Sequence, residues 1–222
     1  MADLLLETAS SPDLVRRSPR KFYVMLGAFA AVLILAAGYA LGYLVPVLTR
    51  PGDDSADAGF ARDMSVHHAQ AVEMGMYAFR VSADREIQIL GYDIATTQQY
   101  QIGVMQAWLD EWHLSYSSSS PRMAWMTDGK SALLPDGRMP GMATTDELNK
   151  LKAATGKPFD VLFCQLMLRH HLGGVHMADE AITLAKDARV RTLAEGIKRA
   201  QQKEITQLTA KLKDLGAQPL SS

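Results

Sequence analysis

The sequence predicts an all-α protein, an antiparallel four-helix bundle made of two repeated helical hairpins and preceded by one N-terminal transmembrane helix. Three observations lead to this prediction. Residues 22–44 are apolar and carry no charge. Apolar residues recur at helical spacing through much of residues 58–216. The second half of that region repeats the first at a shift of 103 residues.

The overall composition excludes several classes of protein. The formal net charge is −1, which gives no basic surface of the kind that binds nucleic acid. A single cysteine, Cys164, excludes an intrachain disulfide framework and a cysteine-rich zinc site. The sequence holds no nucleophile constellation, phosphate-binding loop or dinucleotide motif, so we do not expect an enzyme.

The apolar run at residues 22–44 is long enough to cross a hydrocarbon core of about 30 Å. The positive-inside rule places residues 1–21 in the cytoplasm and the chain beyond residue 44 outside the cell membrane. The alternative is a cleaved signal peptide, whose apolar core would be only ~7–15 residues long. We therefore expect an uncleaved single-pass anchor. The cations that precede the run are Arg16, Arg17, Arg20 and Lys21.

The first predicted hairpin follows a linker at residues 45–57, which is marked by proline, glycine and aspartate. Helical spacing begins near Gly59 and breaks near residues 82–84. A second helix then continues to about Trp112. Residues 113–143 have no sustained period and form a long connection that contains methionines.

The second predicted hairpin is preceded by a short helix. Thr144 or Thr145 caps that helix, and Gly156 ends it. Pro158 suits the first turn of the next helix, which runs to about residue 185. A last helix covers residues 188–215, so that the bundle domain extends over 58–216 and leaves residues 217–222 as a tail.

The repeat relates the two hairpins directly. At a shift of 103, residues 60–112 match 15 of 53 positions without a gap, about 28%. Two such hairpins joined by a long connection predict a bundle of the ferritin-like type, in which pseudo-twofold symmetry brings one helix from each hairpin into a common core. Each of these two helices carries a doubled histidine. Met64, His67 and His68 fall on Met167, His170 and His171.

Helical phase places the doubled histidines on one face together with methionines and a small residue. His176 and its repeat partner Glu73 point to the opposite side, so we exclude them. The face of the first copy holds Met64, His67, His68, Ala71 and Met74, and that of the second holds Met167, His170, His171, Gly174 and Met177.

Imidazole and thioether groups together suit copper, and the thioether favours Cu(I). The alternative is a bundle core in which methionine fills gaps and histidine forms hydrogen bonds between helices. We favour the ligand interpretation, because four buried imidazoles without partners would cost several kcal/mol. The two pairs could hold one shared ion or one ion each. The connection is either a flexible arm that closes over the metal or a loop packed on the bundle. It adds Met123, Met126, Met139 and Met142.

A di-iron carboxylate site is the obvious rival in a bundle of this kind. It requires Glu-x-x-His motifs, and the sequence contains none. Asp63 lies one turn before His67, and we predict that it orients that ring as an outer partner. Cys164 is interpreted as a small buried apolar residue.

Three stretches resemble the family called domain of unknown function 305 (DUF305): DMSVHHAQAVEM at 63–74, MPGMATTDELNKL at 139–151 and GKPFDVLFCQLMLRHHLGGVHMADEA at 156–181. The resemblance implies a ferritin-like bundle, and some members are periplasmic copper-binding proteins of the CopM type that are linked to copper tolerance. Carried over by motif, the implied metal ligands are Met64, His67, His68, Met139, Met142, Met167, His170, His171 and Met177.

The sequence thus predicts a membrane-anchored, extracytoplasmic protein that binds Cu(I), or Ag(I), for sequestration, delivery or tolerance. The alternative is a structural or adaptor subunit of a membrane complex, in which the histidine pairs are core hydrogen bonds. A membrane-protein partner or a homo-oligomer would be compatible with either function.

Overall fold

The structure, a computed structural model, describes residues 19–220, which divide into two units after Arg50. The chain is all-α, as predicted, and no strand occurs within the described residues. The positions of Arg16 and Arg17, with most of the predicted cytoplasmic tail, lie outside them. So do the last two residues of the predicted C-terminal tail.

The first unit contains helix α1, Pro19–Thr49. Its Pro19–Val45 part has a mean hydropathy of 2.3 and is long and apolar enough to cross a membrane. The helix extends beyond the predicted run at both ends. Arg20 and Lys21 lie in its first turn, where they border the apolar segment.

The second unit contains two helical hairpins. In the first, α2 (Ala56–Val81) and α3 (Arg85–Glu111) are joined by residues 82–84. In the second, α5 (Gly156–Leu184) and α6 (Ala188–Asp214) are joined by residues 185–187. The helices of each hairpin pack along each other, and α2 also packs on α5. This arrangement is the predicted four-helix bundle, with the two doubled-histidine helices in contact.

Side-chain caps explain where most of these helices begin. Ser55, Asp84 and Asp187 accept hydrogen bonds from backbone N–H groups in the first turns of α2, α3 and α6. Thr144 and Glu147 form a capping box at the start of α4, Thr145–Ala153. These side chains satisfy donors that a helix leaves unpaired at its N-terminus.

One predicted boundary is wrong. Gly156 does not end the short helix, because α4 ends at Ala153 and Gly156 is the first residue of α5. Its φ of +59° falls in the left-handed region that glycine adopts readily, and this allows the sharp turn between the two helices. Pro158 lies in the first turn of α5, as predicted.

The long connection contains only a short 3₁₀ helix, Gly129–Ala132, and otherwise turns and irregular backbone. It is packed on the bundle. Met123 and Met139 are fully buried, and the indole of Trp125 fills the space over Gly59, where a Cβ would overlap it. The packed loop, rather than the flexible arm, is therefore the form that the structure shows.

Candidate metal centre

The four paired histidines lie together where α2 packs on α5. His67, His68, His170 and His171 are all fully buried. The rings of His67 and His170 have centroids 3.8 Å apart, and those of His170 and His171 lie 6.2 Å apart. We call these four side chains the histidine layer.

Every ring of the histidine layer forms one hydrogen bond, and in each case through Nε2. His67 Nε2 lies 3.2 Å from the carbonyl oxygen of Pro140, and His170 Nε2 lies 3.0 Å from that of His67. The outer pair binds side chains instead. His68 Nε2 is 2.8 Å from Gln101 Oε1, and His171 Nε2 is 2.7 Å from Glu204 Oε2.

These partners determine the tautomer of each ring. Carbonyl and carboxylate oxygens only accept hydrogen bonds, so Nε2 must carry the proton in all four cases. A neutral imidazole then has its lone pair at Nδ1. All four Nδ1 atoms are buried and have no hydrogen-bond partner among the described residues. A polar ring nitrogen without a partner in the core costs free energy unless something binds it.

Burial also keeps three of these rings, those of His67, His68 and His170, unprotonated at neutral pH. Desolvation lowers the pKa of His67 to about 4 and that of His68 to about 3. It lowers the pKa of His170 well below the ordinary value, and the neighbouring rings add to this effect. A cation that approaches these three Nδ1 atoms therefore has no proton to displace at pH 7.

The loop Met139–Pro140–Gly141–Met142 covers one side of the histidine layer. The loop approaches α5 closely because both the loop and the helix carry glycine at the contact. A Cβ on Gly173 would overlap the carbonyl group of Pro140, and a Cβ on Gly141 would overlap the backbone of His170. Gly141 also has a φ of +81°. The close approach carries the Pro140 carbonyl to His67.

Three polar contacts hold this loop in place. Gln70 on α2 exchanges two hydrogen bonds with the backbone of Ala143, at 2.7 and 3.1 Å. Arg138 donates to the carbonyl oxygen of Met142. The loop is thus tied to the same helix that carries His67 and His68.

The predicted methionine ligands divide between two hydrophobic clusters. One cluster contains Met64 and Met177 with Met139, and Met142 packs against it. The other contains Met74 and Met167. This pairing follows from the antiparallel packing of α2 and α5. The loop supplies thioethers to the first cluster alone, so that cluster is the richer in sulfur.

Asp63 does not bind His67, contrary to the prediction. Its Oδ2 accepts hydrogen bonds from the backbone N–H of Met123 at 2.8 Å and from the indole N–H of Trp125 at 2.9 Å. Burial raises the pKa of this carboxyl group. Asp63 lies one helical turn before His67, but its side chain points to the long connection and binds Met123 and Trp125 there.

A family model, Domain of unknown function (DUF305), matches residues 57–212. The match covers both hairpins and the connection between them. This chain belongs to the DUF305 family. No curated protein matches the chain significantly.

Several solved structures share the fold, and two of them are described as DUF305 proteins. One from Streptomyces coelicolor is 44% identical, with a TM-score of 0.71 over 77% of this chain and 100% of that one. A DUF305 fragment from Deinococcus radiodurans is 28% identical, with a TM-score of 0.57 over 72% and 95%. The Cu(I)-bound form of CopM is 24% identical, with a TM-score of 0.54 over 71% and 96%. CopM structures also exist in Cu(II)-bound and silver-bound forms.

The donor set of this DUF305 chain restricts which cation it fits. Within residues 19–220, no three histidine, cysteine, aspartate or glutamate side chains are grouped closely enough to hold an ion. A site built on the histidine layer therefore needs methionine sulfur as well. Cys164 is buried, and burial raises the pKa of its thiol to about 12, so it offers no thiolate. His176 is exposed and pairs with Asp128.

The sequence interpretation missed the partners of the Nε2 atoms in this DUF305 chain. Gln101 and Glu204 each lie 33 residues after the histidine that they bind. The repeat carried the signal, because positions 101 and 204 are related by the same shift of 103. It also missed Gln98 and Gln201, another repeat pair, whose buried amides have no partner among the described residues.

Proposed function

We propose that this protein is a membrane-anchored, extracytoplasmic DUF305 protein that binds Cu(I), or Ag(I), through histidine and methionine. The observation that carries the proposal is the set of four buried Nδ1 atoms that have no partner within residues 19–220. A core histidine with a purely structural role would use both ring nitrogens or leave one to solvent. The methionines that α2, α5 and the loop carry near the histidines in sequence would add thioether ligands, which favour a soft monovalent cation.

The ligands we propose are the four histidines with five buried methionines and the partly buried Met142. The histidines hold Nδ1 free while Nε2 is engaged, which fixes the orientation of each ring. The structural similarity to CopM, which has been solved with copper and with silver, supports this choice of cation. The proposed methionine ligands are Met64, Met74, Met139, Met142, Met167 and Met177.

The role we propose is sequestration or delivery of the cation rather than catalysis. The long apolar helix α1 would keep the protein at the membrane, with residues 51–222 on the outer side. The Streptomyces coelicolor relative is described as a secreted protein, which supports an extracytoplasmic location. A cleaved α1 is the alternative. The size of the mature protein in isolated membranes distinguishes the two.

Anaerobic titration of Cu(I) against a chromophoric chelator tests the proposal. The full-length protein, in lipid nanodiscs, is compared with a variant in which His67, His68, His170 and His171 are changed to leucine. We expect the variant to bind at least ~100-fold more weakly, since it loses the proposed nitrogen ligands themselves. His176→Leu, at an exposed histidine on α5, is the matched control. Micromolar or weaker binding that the four changes leave unaltered would refute the proposal.

A second candidate is a structural or adaptor subunit of a membrane complex. One observation favours it: every Nε2 of the histidine layer already forms a hydrogen bond that links elements of the bundle. In that case the full-length protein binds no Cu(I) under the same titration. It also purifies from membranes in a complex that dissociates when α1 is exchanged for an unrelated transmembrane helix.

A further inference from the structure

Glu204 is a partly exposed partner of the histidine layer. Its side chain is 15% exposed, and it lines a groove of about 700 Å³ between α3 and α6. The same carboxylate accepts the hydrogen bond of His171 at 2.7 Å. Among the described residues that line the groove, it is the one that binds a ring of the layer. The groove therefore reaches His171 through a single carboxylate.

The other half of the bundle has an amide at this position. Gln101 is related to Glu204 by the shift of 103, and it accepts the hydrogen bond of His68 at 2.8 Å. It is 8% exposed and is not among the residues that line the groove. The geometry of the two halves is alike, but their charge and their access to solvent differ.

This difference changes what the two rings offer to a cation. A carboxylate accepts a charge-assisted hydrogen bond, which is shorter and stronger than one to a neutral amide. A carboxylate behind a ligating imidazole also makes the ring a more basic ligand at its other nitrogen. The Nδ1 atoms of both His68 and His171 are buried and unpartnered within residues 19–220. The negative charge therefore favours a cation at His171 over one at His68.

We propose that the two halves of the bundle hold unequal cation sites, and that Glu204 is the positioning residue that makes the His171 half bind the first Cu(I) or Ag(I) ion. This inference rests on the proposed function. It adds an order of loading to that function, and it names the residue that sets the order.

Ag(I) tests the order, because it is diamagnetic and stands in for Cu(I) without redox chemistry. Full-length protein with ¹⁵N-labelled histidine, in nanodiscs, is titrated and followed by NMR of the ring nitrogens. His68→Leu and His171→Leu variants assign the two rings. We expect the first equivalent to shift the signals of His171, and a second equivalent to shift those of His68.

Three variants make the test specific to Glu204. Glu204→Gln gives both halves an amide, so the first equivalent should bind about 10–100-fold more weakly and shift both rings together. The double variant Gln101→Glu/Glu204→Gln should reverse the order. Glu195→Gln removes an exposed carboxylate from the same helix and should change neither the order nor the affinity.

The results separate this inference from the proposed function. If the two rings of the wild-type protein shift in parallel while Ag(I) binds tightly, the inequality is refuted and the metal-binding function stands. If Glu204→Gln behaves like Glu195→Gln, the role of Glu204 is refuted. If the wild-type protein binds no Ag(I), the proposed function itself fails.

Discussion

His170 donates a hydrogen bond from Nε2 to the backbone carbonyl of His67, and the two imidazole rings are tilted by 34° with centroids 3.8 Å apart. Because both rings are fully buried, a proton on either would place a positive charge in the core beside a second ring. The contact therefore depends on both rings staying neutral.

The first prediction concerns pH. The pKa of His67 is about 4 in the folded protein, against an ordinary value of 6.5. Between these values the unfolded chain binds a proton that the folded chain does not. The free energy of unfolding therefore falls as pH decreases from 6.5 towards 4, by roughly 3 kcal/mol for His67 alone. The lowered pKa of His68, about 3, reduces the free energy of unfolding in the same direction as pH falls.

Urea unfolding of the full-length protein, followed by tryptophan fluorescence between pH 7 and pH 5, measures this dependence. His67→Leu should remove about one proton from the slope of the unfolding free energy against pH. The range stops at pH 5 because Glu147 contributes its own pH dependence at lower pH. The Arg169 guanidinium lowers the pKa of Glu147 from its ordinary value of 4.5 to about 2. An unchanged slope in the His67 variant would show that the ring does not titrate as proposed.

The second prediction concerns the loop that covers the histidine layer. A Cβ on Gly173 would overlap the carbonyl group of Pro140, which accepts the hydrogen bond of His67. Gly173→Ala should therefore displace the loop, destabilise the protein by about 1–3 kcal/mol and weaken Cu(I) binding. Gly103→Ala is the matched control, since its Cβ meets nothing within 4 Å in the middle of α3. The control should gain about 0.5–1 kcal/mol in a urea titration.

The third prediction concerns the sulfur-rich cluster. Changing Met64, Met139 and Met177 to leucine together keeps the buried volume and removes three thioethers. Each exchange should cost less than about 1.5 kcal/mol of stability. Loss of a group that only orients a metal ligand costs about 10–100-fold in affinity. Because these thioethers are proposed as ligands themselves, the affinity for Cu(I) should fall by at least that much. Met105→Leu, in the same cluster but on α3, is the control. Equal affinities for the two proteins would remove these thioethers from the site.

The fourth prediction separates Asp63 from the metal centre. Asp63→Leu leaves the N–H groups of Met123 and Trp125 without their acceptor. The protein should lose about 2 kcal/mol or more in urea unfolding, because buried donors are left unpaired. Its affinity for Cu(I) should change far less than that of His67→Leu. A comparable loss of affinity would restore the role first predicted for this carboxylate.

The spacing of apolar residues was enough to predict the helices of the bundle. Along α2 and α5, helical phase placed both histidine pairs inward and His176 outward, and all five histidines lie as predicted. These are local properties, because the angle between two side chains on one helix follows from their separation in sequence.

Hydrogen-bond partners from other elements were beyond the reach of such reasoning. Pro140 lies 73 residues after His67 in sequence, and nothing in the periodicity of either segment predicts their contact. Asp63 illustrates the same point. Helical spacing brought it near His67, but its own hydrogen bonds go to residues 60 and 62 positions away.

The sequence by itself determined the fold class, the two hairpins and the residue types that face the common core, because helix periodicity and the 103-residue shift are properties of the chain alone. Only the tertiary structure decided which nitrogen of each histidine is free and which partner holds the other. The ring of a histidine takes its tautomer from the acceptor beside it, and here every acceptor comes from a different helix or from the loop. The difference between Gln101 and Glu204 is visible in the sequence, but it gained a meaning only when both were found behind the paired histidines.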